Sequence, residues 1–495
     1  MDARAPVPAP GIQDEVKSVR QQKQAIAESK SGGGLYAERV RVYPKAATGK
    51  FRTLKWRLLG VWLALYYTLP WLRWDRGPNA PDQAVLLDLT NRRGYFFFIE
   101  IWPQEVFYLT GILILAAVGL FLVTSLAGRV WCGYACPQTV WTDLFLWVER
   151  RIEGDRNARM KLDKSRWTGA KWAKKIAKHA AWLAIAFATG GAWIMYFVDA
   201  PTVVADFFTG RADYYTYFFV GLFTATTYLL AGWAREQVCT YMCPWPRFQS
   251  AMFDEDTLVV TYQKWRGEPR GKATKDGIGD CVDCGQCVAV CPTGIDIRDG
   301  NQLECISCAL CIDACNLVMA KLCRAPNLIG YDTERRMAAR AKGAPMRYRI
   351  LRPRTLLYGL LFAAVGLAML GVLATRTDAE INVLHDRNPL FVTLSDGAVR
   401  NGYTVKILNK ERQERMFRLE FKGVEGATMR VVGLVETASW VELRADPDTV
   451  TTYQVYIVAD PAKLRAERAD VHFVLTDIVT RVSATRHTWF YGPQP

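Results

Sequence analysis

Five apolar blocks interrupt an otherwise polar chain: Trp56–Leu72, Glu105–Ala127, Ala180–Val198, Tyr215–Trp233 and Thr355–Ala374. Each is close to the roughly 20 residues that a helix needs to cross a bilayer core, so each predicts a membrane span. The first is the shortest, and Trp56, Trp62, Tyr66, Tyr67 and Trp71 supply interfacial aromatics that anchor such a helix. Residues 1–50 carry Pro, Gln, Ser and the run Gly32-Gly33-Gly34 without a hydrophobic period. They predict a disordered tail with no cleavable signal segment. Beyond the last span the period changes to two. Tyr403–Leu408, Met416–Phe421, Tyr453–Val458 and Val471–Leu475 alternate or run β-branched and aromatic between turn residues. Seven or eight short strands in 380–495 predict an immunoglobulin-like β-sandwich, here without its disulfide because the region has no Cys.

Charge gives these blocks a direction. The 495 residues carry 63 Lys and Arg against 48 Asp and Glu, a net +15, beside 51% hydrophobic residues, 17 Trp and 21 Tyr. That combination points to a membrane protein with basic flanks and away from a nucleic-acid binder. Residues 128–178 hold 12 Lys/Arg against 5 Asp/Glu, whereas 199–213 hold one Arg against three Asp. By the positive-inside rule the first loop is cytoplasmic and the second lies across the membrane. Five spans then put the N-terminus and residues 250–345 in the cytoplasm and the C-terminal region, with 16 basic and 16 acidic residues from 375 onward, outside. Arg150–Lys178, with Trp167 and Trp172 interleaved, suits an anionic lipid surface.

The cysteines carry the chemistry. Residues 281–292 read C-V-D-C-G-Q-C-V-A-V-C-P and residues 305–315 read C-I-S-C-A-L-C-I-D-A-C, the C-x2-C-x2-C-x3-C run of a bacterial ferredoxin written twice. In that arrangement the fourth Cys of each run crosses over. Cys281, Cys284, Cys287 and Cys315 are thus expected to hold one 4Fe-4S cluster, and Cys305, Cys308, Cys311 and Cys291 the other. Zinc sites show C-x2-C knuckles without a third Cys at the same spacing, and a reducing cytoplasm disfavours a disulfide framework. Pro292 fits the run; Asn316 stands where a second Pro is usual.

Four further cysteines repeat. Cys132-Gly-Tyr-Ala-Cys136-Pro137 follows the second block and Cys239-Thr-Tyr-Met-Cys243-Pro244 the fourth, 107 residues apart. Each unit reads as a helical hairpin with its cysteine pair at the cytoplasmic exit and Pro able to open the next helix. Cysteines at i and i+4 face the same way if the backbone there is helical. Four thiols at the inner membrane surface suit a soft metal such as Cu(I), zinc or iron-sulfur chemistry, or a thiol/disulfide relay; buried small hydrophobes are the plainer alternative. Cys323 is left over and reads as structural. The four His residues, His179, His385, His472 and His487, are scattered, with no C-x-x-C-H and no glycine-rich nucleotide loop.

The cluster text from Cys291-Pro-Thr-Gly-Ile-Asp-Ile-Arg-Asp-Gly300 to Cys315, the stretch Phe98-Ile-Glu-Ile-Trp-Pro-Gln-Glu105 and both C-x-Y-x-C-P units resemble the cytochrome c oxidase accessory proteins of the FixG/RdxA/CcoG type. The order of parts is also similar: a tail (1–50), four spans in two hairpins (51–249), a two-cluster ferredoxin-like α+β insert (250–345), a fifth span (352–376) and an outer immunoglobulin-like domain (380–495). The resemblance implies a multi-pass protein of the bacterial inner membrane that reduces Cu(II) to Cu(I) for assembly of a cbb(3)-type oxidase. Copper would be held and reduced at Cys132, Cys136, Cys239 and Cys243, with a cytoplasmic electron donor and a copper chaperone or oxidase subunits as partners. A homo-oligomer stays open. Two other readings remain: a quinol-linked polyferredoxin relay without copper, and a non-enzymatic assembly scaffold.

Overall fold

The computed structural model describes residues 18, 19, 21, 24, 40–77, 80–271, 277–377, 379–434, 437–464 and 467–493. Most of the expected tail, residues 1–17 and 25–39, lies outside the described residues. The chain forms two compact units: one runs up to Arg73 and resumes over Gln83–Met369, and the other joins Trp74–Asp82 to Leu370–Pro495.

In the first unit, α1 (Lys50–Thr68) leads to a small antiparallel sheet of β1 (Val85–Asp88), β2 (Arg93–Phe96) and β3 (Ile99–Ile101). Then come α2 (Phe107–Ala127), α3 (Val130–Tyr134), α4 (Pro137–Glu153), α5 (Arg156–Lys164), α6 (Gly169–Ile194), α7 (Ala200–Thr209) and α8 (Tyr214–Thr227). The start of α2 is fixed by Glu105, whose carboxylate accepts from the Trp102 N–H at 3.1 Å. Asp213 caps α8 at the Tyr215 N–H, 3.0 Å away. A π-helical segment, Tyr228–Ala234, prolongs α8. Helices α6 and α8 approach closely at Gly190, where a Cβ would lie 2.9 Å from the Val220 carbonyl. Small residues permit such contact between apolar helices, where the backbones themselves supply the packing.

Helices occupy all five expected blocks, but among the described residues three are long and apolar enough to cross a membrane: Pro103–Ala127, Tyr214–Ala234 and Pro353–Ala374. The other two fall short because charge invades them. Helix α1 carries Lys50, Arg52, Lys55 and Arg57, and the first ten residues of α6 carry Lys171, Lys174, Lys175 and Lys178.

Those charges are put to structural use. Arg52 donates to both oxygens of buried Asp143 at 3.0 and 2.8 Å. Glu149 on α4, 1% exposed, meets Arg159 at 2.8 Å, Arg235 at 3.0 Å and Lys178 at 3.8 Å. Burial alone would raise the Glu149 carboxyl, but Arg235, Arg159 and Lys178 outweigh it and hold the group at about 2.

The ferredoxin-like part follows α9 (Trp245–Ala251). It pairs β4 (Val259–Tyr262) with β5 (Ile329–Asp332) in antiparallel register and sets α10 (Lys264–Gly267), α11 (Gln286–Ala289) and α12 (Leu310–Lys321) around them. α13 (Glu334–Ala341) and α14 (Pro353–Ala374) follow, and the first unit ends within α14 at Met369. This part is joined tightly to the helical part. Asp313 on α12 caps α1, accepting from the Arg52 N–H at 2.8 Å and the Phe51 N–H at 3.3 Å. Residues 40–49, expected as disordered tail, form an extended strap instead. The Lys45 N–H donates to the Ala289 carbonyl at 2.8 Å, and the Ala46 N–H to Asp155 at 3.0 Å.

The second unit is a sandwich of two antiparallel sheets. One has, in order, β11 (Thr437–Ala438), β10 (Thr428–Val431), β13 (Thr449–Ala459), β8 (Val399–Asn409) and β6 (Ala379–His385), with β7 (Val392–Thr393) on β8. The other has β12 (Trp440–Ala445), β9 (Arg415–Lys422), β14 (Arg468–Asp477) and β15 (Ser483–Tyr491). Strands β8, β9, β13 and β14 contain the four segments picked out by alternation. Their inward residues, among them Tyr403, Val405, Leu419, Ile457 and Phe473, are fully buried. Among the described residues ten strands are present where seven or eight were expected; β7 and β11 are two residues each and leave no period to read.

Candidate functional site

Two adjacent cavities in the ferredoxin-like part are lined by cysteine. Cys281, Cys284, Cys287 and Cys315 line one, with Tyr262, Met319, Leu328 and Arg298. Cys291, Cys305, Cys308 and Cys311 line the other, with Val260, Ile295 and Ile306, and Cys287 reaches both. The fourth cysteine of each run therefore sits with the other run's three. Both loops bend by the same device. Asp283 and Gly285 in the first (φ 52° and 67°) match Ser307 and Ala309 in the second (φ 51° and 61°). Left-handed residues at matched steps turn each backbone around its cavity, and a non-glycine residue held there marks strain kept for function.

Asn316, the departure from the run, lies within α12, which continues past Cys315 to Lys321. Pro at that point would remove a helical donor. Asn316 instead accepts from the Asn327 N–H at 2.7 Å.

The cavities fit iron-sulfur chemistry by their donors. All 13 cysteines are free thiols. Burial pushes Cys305 and Cys315 up to about 12, and Cys287 and Cys311 well above the ordinary thiol. Dry, apolar walls thus keep these groups protonated unless a cationic centre takes up their charge, which is the environment a metal-thiolate cluster requires.

The repeated thiol units also share a backbone. Gly128 and Arg235, 107 residues apart, both have positive φ (60° and 44°) at the end of their helices. The Cys136 N–H reaches the Trp131 carbonyl at 2.9 Å, and the Cys243 N–H reaches Val238 at 2.8 Å, the same five-residue closure. Pro137 opens α4, as the sequence suggested. The conditional i, i+4 helical face does not apply. Cys132 lies in α3, but Cys136 and Cys243 are extended, with ψ 127° and 123°.

Both units press on the second cluster cavity. Cys132 and Cys239 pack against the buried group of Val290, Ile306, Cys308, Leu310 and Ala314. At Gly133 a Cβ would meet the Ile306 carbonyl at 2.7 Å and the Cys308 Cα at 3.0 Å, so the thiol turn lies backbone to backbone on the cluster loop. The Tyr134 hydroxyl donates to the Cys308 carbonyl at 3.1 Å. Arg129, 3% exposed, ties Leu303 and Cys305 of that loop to Pro246 of α9, just after the second thiol pair, through their carbonyls. Cys132 donates to Gln249 at 3.2 Å. Burial, then neighbouring thiols, raise Cys132 to about 11 and Cys239 to about 12. Among the described residues, no three His, Cys, Asp or Glu side chains are gathered as a single-ion site.

Sequence reading missed Arg129, Gln249 and Arg298. Arg129 had a faint signal, because the repeat places Glu236 opposite it. Arg298 had none. It pairs with Asp296 at 2.8 Å and Asp283 at 2.7 Å and reaches the Cys281 sulfur at 3.9 Å, a donor to a cluster-lining thiol. Cys323, expected to be structural, is exposed.

Comparison with known proteins agrees with this layout. A 4Fe-4S dicluster domain model matches residues 234–334, and a 4Fe-4S binding domain model matches 109–154, which takes in Cys132 and Cys136. A model for the IG-like fold at the C-terminal of FixG matches 369–493. The nitrogen fixation protein FixG of Rhizobium meliloti is 53% identical over 86% of this chain and 87% of its own. RdxB of Cereibacter sphaeroides is 50% identical over 92% and 97%, and RdxA of the same organism 51% over 81% and 86%. The crystal structure of a FixG-related protein from Vibrio parahaemolyticus aligns with 23% of this chain and 97% of its own, at 26% identity and TM-score 0.21. With three relatives alike over most of both chains and three apolar helices of spanning length, the chain belongs to the FixG/RdxA/RdxB family as a membrane-associated 4Fe-4S electron-transfer protein.

Proposed function

We propose that this protein is a cupric reductase serving assembly of a cbb(3)-type cytochrome c oxidase. Cys281, Cys284, Cys287 and Cys315 would hold one cluster and Cys291, Cys305, Cys308 and Cys311 the other. In this reading the chain crosses the bacterial inner membrane five times, clusters inside and sandwich outside. α1 and α6 are the two additional passes, their basic ends held at the cytoplasmic face. When bound, the clusters supply single electrons, and a Cu(II) substrate ion takes one to become Cu(I).

The observation that carries the reading is the seating of Cys132 and Cys239 on the Ile306–Cys308 loop. It puts soft ligands in packing contact with the wall of a cluster cavity and leaves no room for water between them at Gly133. The residues' own work is to bind and to release protons. Thiols raised to about 11 and 12 are protonated at neutral pH, so copper uptake at Cys132 and Cys239 expels protons to solvent. Thiolate donors favour Cu(I) over Cu(II), which makes reduction easier at this site. A cytoplasmic donor refills the clusters, and a chaperone or oxidase subunit takes the product. Replacing Cys132 and Cys239 together by Ala should abolish copper reduction while electron paramagnetic resonance (EPR) still finds both clusters. Undiminished reduction in that variant would sink the site.

One observation favours the relay without copper. The four membrane-edge thiols are neighbours but are not drawn in as a single-ion site. In that reading a quinol reduces the clusters, which pass electrons on to another redox partner, and the purified protein binds no copper at these thiols.

A further inference from the structure

The chain has four histidines, and two of them face each other on the outer sandwich. In the antiparallel pair β14 and β15 (Ser483–Tyr491), His472 is the direct register partner of His487. Their rings stand 5.3 Å apart between centroids, and both residues are exposed. The flanking residues Val471, Phe473 and Phe490 are fully buried on the opposite face, so the strands that present the imidazoles are anchored in the core.

Asp470 completes the arrangement. Its carboxylate lies 2.6 Å from His487 Nε2. An ionised carboxylate only accepts, so Nε2 carries the proton and Nδ1 keeps a free lone pair. Metal-binding histidines are held in this way, with one ring nitrogen donating to a carboxylate that fixes the tautomer and strengthens the other as a ligand. The nearby cations are already engaged. Lys422, register partner of His472 on β9, pairs with Glu420 at 3.4 Å, and Arg468 stacks on Trp489 at 3.6 Å.

We propose that His472 and His487 form a surface site for a divalent transition-metal ion, with Asp470 as the positioning residue behind His487. Two imidazoles and open solvent positions suit the borderline metals, and the Irving–Williams order makes Cu(II) the tightest of them. The site depends only on the sandwich and stands or falls apart from copper reduction at the membrane-edge thiols. It gives the C-terminal sandwich a ligand of its own, a cation captured in the higher-valence form.

The test uses the full chain in detergent, clusters oxidised, with Cys132, Cys136, Cys239, Cys243 and the exposed Cys323 replaced by Ser so that these thiols neither bind nor reduce the probe. Cu(II) chloride is added up to one ion per chain and read by EPR, with glycine as competitor for affinity. The expected result is one ion with hyperfine coupling to two imidazole nitrogens. His472→Ala and His487→Ala should each leave one nitrogen. Asp470→Asn should keep both nitrogens while weakening affinity about 10–100-fold. If the Ser background does not fold, Ni(II) calorimetry on the otherwise native chain makes the same comparison between the two histidine variants and their parent. Copper or nickel binding that is unchanged when both histidines are removed overturns the proposal.

Discussion

At the scale of single residues, the account rests on side chains or missing side chains with little freedom to change. Gly133 is the sharpest case. A methyl group there would sit 2.7 Å from the Ile306 carbonyl, and backbone cannot swing aside as a side chain can. Gly133→Ala is expected to cost about 1–3 kcal/mol, the usual range for overpacking. It should also part the thiol turn from the cluster loop. The check is a lowered thermal midpoint together with slower copper reduction, both clusters still present.

Glu149 gives a second residue-scale prediction. Its loss leaves Arg159 and Arg235 buried without a counter-charge, so Glu149→Ala should destabilise by about 3–5 kcal/mol. The pH dependence follows from the depressed carboxyl. Its contribution is complete above the ordinary value of 4.5 and is lost as pH falls toward about 2. Thermal unfolding of the wild type should therefore weaken across that acid window, and Glu149→Gln should weaken less. Equal slopes would contradict the ion-pair account.

At the scale of elements, legibility followed local rules. Cluster ligation demands fixed spacing, so the gathering of Cys281–Cys315 around two cavities was legible, with Cys291 and Cys315 each lining the other run's cavity. The 107-residue repeat was also legible, and its matched turns at Gly128 and Arg235 are the backbone form of that signal. What the repeat did not reveal was where the turns dock. Cys132 and Cys308 are far apart in sequence, and what joins them is a bare glycine, an arginine on carbonyls and a tyrosine hydroxyl. The sheet β1–β3 was missed because its strands are three or four residues long.

The cap of α1 by Asp313 was equally hidden, since it joins residues 261 positions apart. Asp313→Ala should cost about 0.5–2 kcal/mol, as for other N-cap losses. Because the cap links the helical and cluster parts, amide exchange at residues 50–53 should speed up in the variant. Unaltered exchange there would show that the cap does not hold the junction.

At the scale of the molecule, hydropathy and charge compete for the same helices. α1 and α6 are helical as their pattern suggested, yet their basic ends are spent on Asp143, Glu149 and Glu153. A block-by-block reading of apolarity counts them as spans, while length and composition together single out three. The sandwich was legible because its period of two runs through β8, β9, β13 and β14, each with alternate residues buried along much of one face.

The central claim is that electrons leave the cluster cavities by way of the membrane-edge thiols and end on copper. Its most direct test mixes anaerobic, cluster-reduced protein with Cu(II) and a chelator specific for Cu(I), following cluster absorbance and chelator colour in one trace. The account predicts that the two change together, with one Cu(I) formed for each electron the clusters lose. Clusters that stay reduced beside unreacted Cu(II) would contradict it.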